Sequence, residues 1–205
     1  MRAVIISGGK ITDYAYIKEQ IGLFNADIII CADSGYNHAV KMGLRADLVV
    51  GDFDSSEIPD GVETARYPSE KNHTDSEIAL SHARERGARE LLFIGATGTR
   101  ADHTLTNIFM LKSCLEQGEK AQVLDEHNRI RIVESKLSFK GDKGGFVSLV
   151  PLCDCFGVTT EGLKYPLKDA GLKFGEGVGV SNIMEGNEAT VSLEKGILLV
   201  IEARD

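Results

Sequence analysis

The 205-residue sequence predicts an α/β domain with a mostly parallel sheet, followed by an all-β domain. Three observations carry that reading. Up to about Asn128, short runs that are apolar throughout alternate with longer helical patterns. From Arg129 onward, apolar residues recur with period two and the helical period stops. Small residues, carboxylates and cations collect where the apolar runs of the first part end. Strands buried on both faces of a parallel sheet read as continuous apolar runs, whereas half-buried antiparallel strands alternate. The expected domains are residues 1–128 and 129–205.

In chain order, the buried strands are expected at Ala3–Ile6, Ile28–Ala32, Leu48–Val50, Leu91–Ile94 and Ala121–Leu124, with a short strand near Ala65–Tyr67. The segments between them suit crossover helices. Thr74-Asp-Ser-Glu77 has the form of a capping box, Ile78, Ala79 and Ala83 continue a helical face, and Gly87 suits its end. Asp102 opens another helix, with Leu105, Ile108, Phe109, Leu111 and Leu115 at helical spacing and Gly118 beyond. In the second part Arg129–Val133, Lys136–Lys140, Phe146–Leu152, Ala189–Leu193 and Ile197–Ala203 read as strands of a small sandwich or barrel.

With 31 acidic and 23 basic residues the net charge is -8, which argues against non-specific nucleic-acid or anionic-membrane partners. A small anionic substrate is compatible, because a metal ion or a few basic residues offset the field locally. The four cysteines form no disulfide pattern. Cys153-Asp-Cys155 resembles half a metal site without a partner pair, so reduced thiols are expected. The apolar run within Met1–Lys10 is too short for a signal peptide or a membrane span, and a cytoplasmic protein is expected.

Ligands of open parallel sheets bind beyond the carboxyl ends of the strands. The residues expected there are Ser7-Gly8-Gly9, Asp33-Ser-Gly35, Gly51-Asp-Phe-Asp-Ser55, Lys71-Asn-His-Thr-Asp75, Gly95–His103 and Asp125–Asn128. Singly, these read as turns and helix caps. Ser7-Gly8-Gly9 alone reads as a turn, and His38, His73 and His82 as helix-face or surface residues. Asp52 and Asp54 stand out. At i and i+2 of an extended segment they would share one side and repel unless a cation lay between them. Asp33 and Asp75 would converge on the same place, and all-oxygen ligation suits magnesium. Lys71 and Arg100 would bind phosphate oxygens beside it. Neither G-x-x-x-x-G-K-[ST] nor G-x-G-x-x-G is present. The residues thus point to a metal-dependent enzyme acting on a phosphate or nucleotide. A phosphohydrolase, a kinase for some alcohol and a non-catalytic binding module all remain open at this level.

Ala32-Asp-Ser-Gly35, Gly51-Asp-Phe-Asp-Ser55, Lys71-Asn-His-Thr-Asp75, Gly95-Ala-Thr-Gly-Thr-Arg-Ala-Asp-His-Thr-Leu-Thr-Asn107 and Gly179-Val-Ser-Asn182 together resemble the thiamine pyrophosphokinase family, in its order and over most of the chain. The resemblance implies ATP as co-substrate with Mg2+, thiamine as acceptor, and thiamine diphosphate and AMP as products. It implies a C-terminal β-sandwich that binds thiamine, and a homodimer whose active site is shared between subunits. Carried over by position, Asp33, Asp52, Asp54 and Asp75 would hold the metal and diphosphate. Lys71, Thr74, Arg100, Asp102 and His103 would line the nucleotide site. Asp52, Asp54, Asp75, Arg100 and Asp102 would be catalytic, and Tyr165, Ser181 and Asn182 would meet thiamine. Ser34, Asn72 and Thr99 depart from residues more usual in the family, and none of them removes a carboxylate of this set.

Overall fold

The computed structural model describes residues 1–53, 61–68, 70 and 72–204. The chain divides into two compact units, Met1–Glu126 and His127–Asp205.

The first unit comprises β1 (Arg2–Ile6), α1 (Tyr14–Phe24), β2 (Ile28–Ala32), α2 (Gly35–Met42), β3 (Leu48–Gly51), β4 (Glu63–Arg66), α3 (Asp75–Glu85), β5 (Glu90–Ile94), α4 (Ala101–Glu116) and β6 (Lys120–Leu124). Its strands lie in the order β6-β5-β1-β2-β3-β4, and every neighbouring pair is parallel. The chain starts in the middle, winds outward to β4, and returns to the other side of β1. That reversal places the topological switch point between β1 and β5.

The continuous apolar runs are explained by helices on both faces. Val4, Ile6, Cys31, Val49, Leu92 and Ile94 pack with Ile17 and Ile21 of α1 and with Ala39 and Met42 of α2. Helix α3 covers β1, β2 and β3, and α4 packs on β6. Ile5, Ile6, Leu91, Phe93 and Ile94 are fully buried, each contributing roughly 2 kcal/mol relative to exposure. Glu63, Thr64 and Arg66 of the edge strand β4 are exposed, which explains why its sequence signal is weak.

The capping box of α3 forms on both sides. Thr74 Oγ1 accepts from the Glu77 amide at 3.2 Å, and the Glu77 carboxylate accepts from the Thr74 amide at 2.7 Å. Helix α4 keeps Leu111 buried and Ile108 and Leu115 half-buried as expected, but departs elsewhere from the expected face. Asn107, Met110, Leu111 and Cys114 are buried, while Leu105 and Phe109 are exposed at 51% and 50%. Asn107 turns inward and donates from Nδ2 to the Ala96 carbonyl at 2.7 Å. A buried charge was also invisible in the sequence. The Glu119 side chain is fully buried and held by Arg84, from Nε at 3.1 Å and Nη2 at 2.9 Å, and by Arg89 Nη1 at 3.3 Å.

The second unit comprises β7 (Asn128–Val133), β8 (Lys136–Lys140), β9 (Phe146–Pro151), β10 (Cys155–Glu161), β11 (Ala170–Leu172), β12 (Asn182–Ile183), β13 (Glu188–Ser192) and β14 (Leu198–Ala203). Antiparallel pairing gives β12-β9-β14-β7 and β11-β10-β13-β8. Val133, Val147, Leu149, Leu198 and Val200 from one sheet pack with Phe139, Val158, Leu172, Ala189 and Val191 from the other, so the unit is a sandwich. The sequence did not reveal β10. Its register to β11 shifts between Cys155 and Val158, at Gly157 with φ 67°, so the buried residues are Cys155, Val158 and Thr160 and the period-two signal is broken.

The cysteines are free thiols, with only Cys153 exposed. Burial pushes the Cys31 and Cys114 thiols up to about 12. Cys155 Sγ donates to the Cys153 carbonyl at 3.2 Å. Among the described residues no helix is long and apolar enough to cross a membrane.

Glu119→Ala removes the anion between two guanidinium groups and leaves the part-buried Arg84 without its partner. The expected cost is about 3 kcal/mol, read as a lower urea midpoint. An unchanged midpoint would contradict the structural role given to this triad.

Candidate active site

A cleft of about 660 Å³ opens at the carboxyl ends of β1, β2, β3 and β5. Its floor depends on close backbone approach. A Cβ on Gly9 would collide with the carbonyl oxygens of Thr97 and Gly95, and one on Gly35 with that of Ile6. Polar side chains then tie the connections together. Ser7 and Ser76, both buried, share a hydrogen bond of 2.7 Å. Thr97 donates to Asp125 Oδ2 at 2.8 Å, and Thr104 Oγ1 accepts from the Gly98 amide at 3.1 Å. Glu126 accepts from Thr12 and from the Asp13 amide, which joins the connection after β1 to the end of β6.

Of the residues expected in the site, Asp33, Asp52, Thr74, Asp75, Arg100 and His103 line this one cleft. Asp33 follows β2 with φ 47°, and its Oδ1 is buried with no hydrogen-bond partner among the described residues. A buried carboxylate oxygen without a partner carries its full desolvation cost. It is therefore a position that calls for a cation. Among the described residues no three His, Cys, Asp or Glu side chains are placed to hold a metal ion by themselves. Asp33, Asp52 and Asp75 thus line one cleft without forming the joint carboxylate site expected of them.

The extended geometry expected of Asp52 and Asp54 is interrupted at Phe53. Strand β3 ends at Gly51, and Phe53 has φ 58°, so the chain bends into the left-handed region between the two aspartates. Phe53 is 8% exposed and packs in the core, which offsets a conformation costly for a bulky residue. Asp54 and Lys71 lie outside the described residues.

Asp102 is not in the cleft wall. It grips Arg100, Oδ1 to Nε at 3.2 Å and Oδ2 to Nη2 at 2.5 Å, and accepts from the His103 amide at 3.0 Å. Those bonds, from Arg100 first and then from the His103 amide, hold its carboxyl down at about 2. So acidic a group is a poor proton acceptor near neutral pH. Arg100, the N-cap of α4, makes no side-chain cap. With two of its N–H donors on Asp102, three others remain for an anion.

Tyr165, Ser181 and Asn182 belong to the second unit. Asn182 is 9% exposed. Its Oδ1 accepts from the Tyr165 amide at 3.0 Å and its Nδ2 donates to the Tyr165 carbonyl at 2.7 Å. Asn182 thus clamps the backbone that presents Tyr165, whose ring is 58% exposed with Lys164 Nζ 5.5 Å from its centroid. Ser181 is exposed at φ 60°, and its amide donates to Ser148 Oγ at 3.0 Å.

Ser7, Gly8 and Gly9 line the cleft, at the sheet edge where they were expected although they read as a turn when taken alone, and Lys10 joins them. The usable signal was a pair of glycines directly after the strand that becomes the middle of the sheet.

The fold and cleft define a class: a doubly wound α/β sheet with a carboxylate- and glycine-lined cleft at its switch point, followed by an antiparallel sandwich. Two family models match in the same order. "Thiamin pyrophosphokinase, catalytic domain" covers residues 22–123, and "Thiamin pyrophosphokinase, vitamin B1 binding domain" covers residues 129–198. The thiamine pyrophosphokinase of Bacillus subtilis (strain 168) is 30% identical over 187 residues, 86% of this chain and 87% of that protein. The crystal structure of thiamine pyrophosphokinase from Bacillus subtilis superposes with a TM-score of 0.89 at 25% identity, over 100% of both chains. That of the Geobacillus thermodenitrificans thiamin pyrophosphokinase does so with 0.84 at 26% identity, over 100% of this chain and 98% of the other. The chain belongs to the thiamine pyrophosphokinase family, and it is an enzyme of that family.

Asp33→Asn keeps a side chain suited to positive φ and removes the unpaired charge. The metal-free protein should gain about 1 kcal/mol of stability while activity falls at least tenfold. Thermal melts with a chelator present check the first part, and a lower melting temperature would contradict it.

Proposed function

We propose that the chain transfers the diphosphoryl group of ATP to the hydroxyl of thiamine, giving thiamine diphosphate and AMP. Family membership supports the reaction. The observation that carries its placement is the Asp33 oxygen, unpartnered among the described residues, in a cleft shared with Asp52 and Asp75.

In this reading ATP lies in the first unit, with its phosphates against the Gly95–Arg100 connection and the start of α4. Backbone amides at an uncapped helix start favour anions. Asp33 and one further carboxylate among Asp52, Asp54 and Asp75 would hold Mg2+, which would neutralise charge on the diphosphoryl group as it develops. Lys71, Thr74 and His103 complete the nucleotide site. Arg100 offers its remaining donors to the phosphates, and Asp102 fixes its plane. The thiamine oxygen bonds to the β-phosphorus. The bond from that phosphorus to the α–β bridging oxygen breaks, and AMP leaves with the oxygen. The hydroxyl proton goes to a carboxylate, and Asp75, in the cleft wall, suits that role better than the strongly acidic Asp102.

The second unit takes thiamine in the same reading, with Tyr165 against its rings and Ser181 and Asn182 setting the loop. The reading also includes a cytoplasmic homodimer with an active site shared between subunits, which the family resemblance supports.

The deciding experiment incubates the protein with ATP, Mg2+ and thiamine and resolves the products. AMP and thiamine diphosphate in equal amounts are expected, and EDTA should abolish both. ADP with thiamine monophosphate would refute the reaction. Asn182→Ala should raise the thiamine KM at least fivefold with the ATP KM within twofold, and an ATP-only effect would refute the assignment. Because the Asp102 carboxyl is ionised down to about pH 2, Asp102→Asn should lower kcat without moving the acidic limb of the pH–rate profile. A shifted limb would return Asp102 to the role of base.

A further inference from the structure

The connection after β1 has no part in the sequence motifs, yet Gly9 and Lys10 stand in the wall of the cleft. Both polar groups of the Gly9 backbone are bound. Its amide donates to the Gly95 carbonyl at 2.8 Å. Its carbonyl lies 2.8 Å from Nε2 of His38, on α2. A carbonyl only accepts, so Nε2 carries the proton. In the neutral ring Nδ1 is then a bare acceptor. Tyr14, at the start of α1, supplies the matching donor, with its hydroxyl 2.8 Å from Nδ1. The ring is half-buried, and its pKa lies below the usual value, chiefly because burial disfavours the charged form and secondarily through Lys41. Tyr14 O–H to His38 Nδ1, then His38 Nε2–H to Gly9 C=O, is therefore a relay with one direction. It runs from two helices to a single peptide of the cleft wall.

The pinned group matters because Gly9 C=O and Lys10 N–H share one planar peptide and point opposite ways. On the far side, Lys10 N packs beside Gly98, 3.3 Å from where a Cβ on that glycine would lie. Gly98 belongs to the connection that would meet the phosphates. The Lys10 side chain is exposed from the same wall. Orienting a peptide toward an anion in advance removes an ordering cost from binding.

We infer that His38, held by Tyr14, is a positioning residue that fixes the Gly9–Lys10 peptide for the phosphates of the nucleotide. The inference rests on the reading of this cleft as the ATP site. His38 touches no substrate, and its effect reaches the nucleotide only through Gly9 and Lys10.

Three substitutions separate this role from general stability. His38→Ala removes both bonds. His38→Asn keeps an amide near the Nδ1 position for Tyr14 but cannot reach Gly9. His38→Gln places an amide N–H near the Nε2 position. ATP dissociation constants from calorimetry, KM for ATP and for thiamine, and melting temperatures are measured for all three. Ala and Asn should weaken ATP binding and raise its KM about tenfold, with the thiamine KM within twofold. Gln should return ATP binding to within threefold of the parent. If Ala fails to fold, the contrast between Asn and Gln carries the test. Equal ATP affinity in Asn, Gln and the parent would overturn the inference. So would losses that follow melting temperature and affect both substrates alike. A parent that binds ATP but releases no AMP would refute the proposed reaction, while the ATP affinities still decide the role of His38. A parent that binds no ATP would overturn both.

Discussion

Backbone crowding at the switch point governs the cleft. The connections after β1 and β5 approach so closely that Gly9 has no room for a Cβ, and the start of α2 is equally tight against β1 at Gly35. Connections packed main chain to main chain bring their peptide groups into the floor of the cleft. Such a lining suits a ligand rich in oxygen anions, because amides approach it without an intervening methyl group. The carboxylates then stand around this floor at the ends of β2 and β3 and at the start of α3.

Several residues that look like ligands in the sequence are also committed to a neighbour. Asp102 holds Arg100, and those bonds keep its own carboxyl well below the usual carboxylate range. Asn182 spends its amide on the backbone of Tyr165. Thr74 gives its hydroxyl to the cap of α3, which sets where Asp75 begins the helix. Asp33 behaves differently, with one carboxylate oxygen buried and unpartnered among the described residues. An unmet polar group of that kind lowers the stability of the empty fold and is understandable where a bound cation supplies the missing interaction.

Much of the fold was legible because hydrophobic period is a local property. The buried parallel strands, the capping box and the switch to period two at β7 were readable from residues a few positions apart. Where a single residue broke the period the reading failed. The bulge at Gly157 hid β10, and α4 buries Asn107 while Leu105 and Phe109 are exposed. Both breaks answer to partners distant in sequence, which no local pattern encodes.

For the site, the sequence by itself determined which chemical groups are available: the aspartates, the arginine, the glycine-rich connections and the order that marks the family. Tertiary structure alone decided how those groups are used. It placed Lys10 in the cleft wall, bent the chain at Phe53, paired Asp102 with Arg100, and set His38 between Tyr14 and Gly9. Composition and spacing are one-dimensional and survive in the sequence. Hydrogen-bond commitment depends on which connections of the sheet meet at its switch point, and that follows only from the order in which the strands assemble.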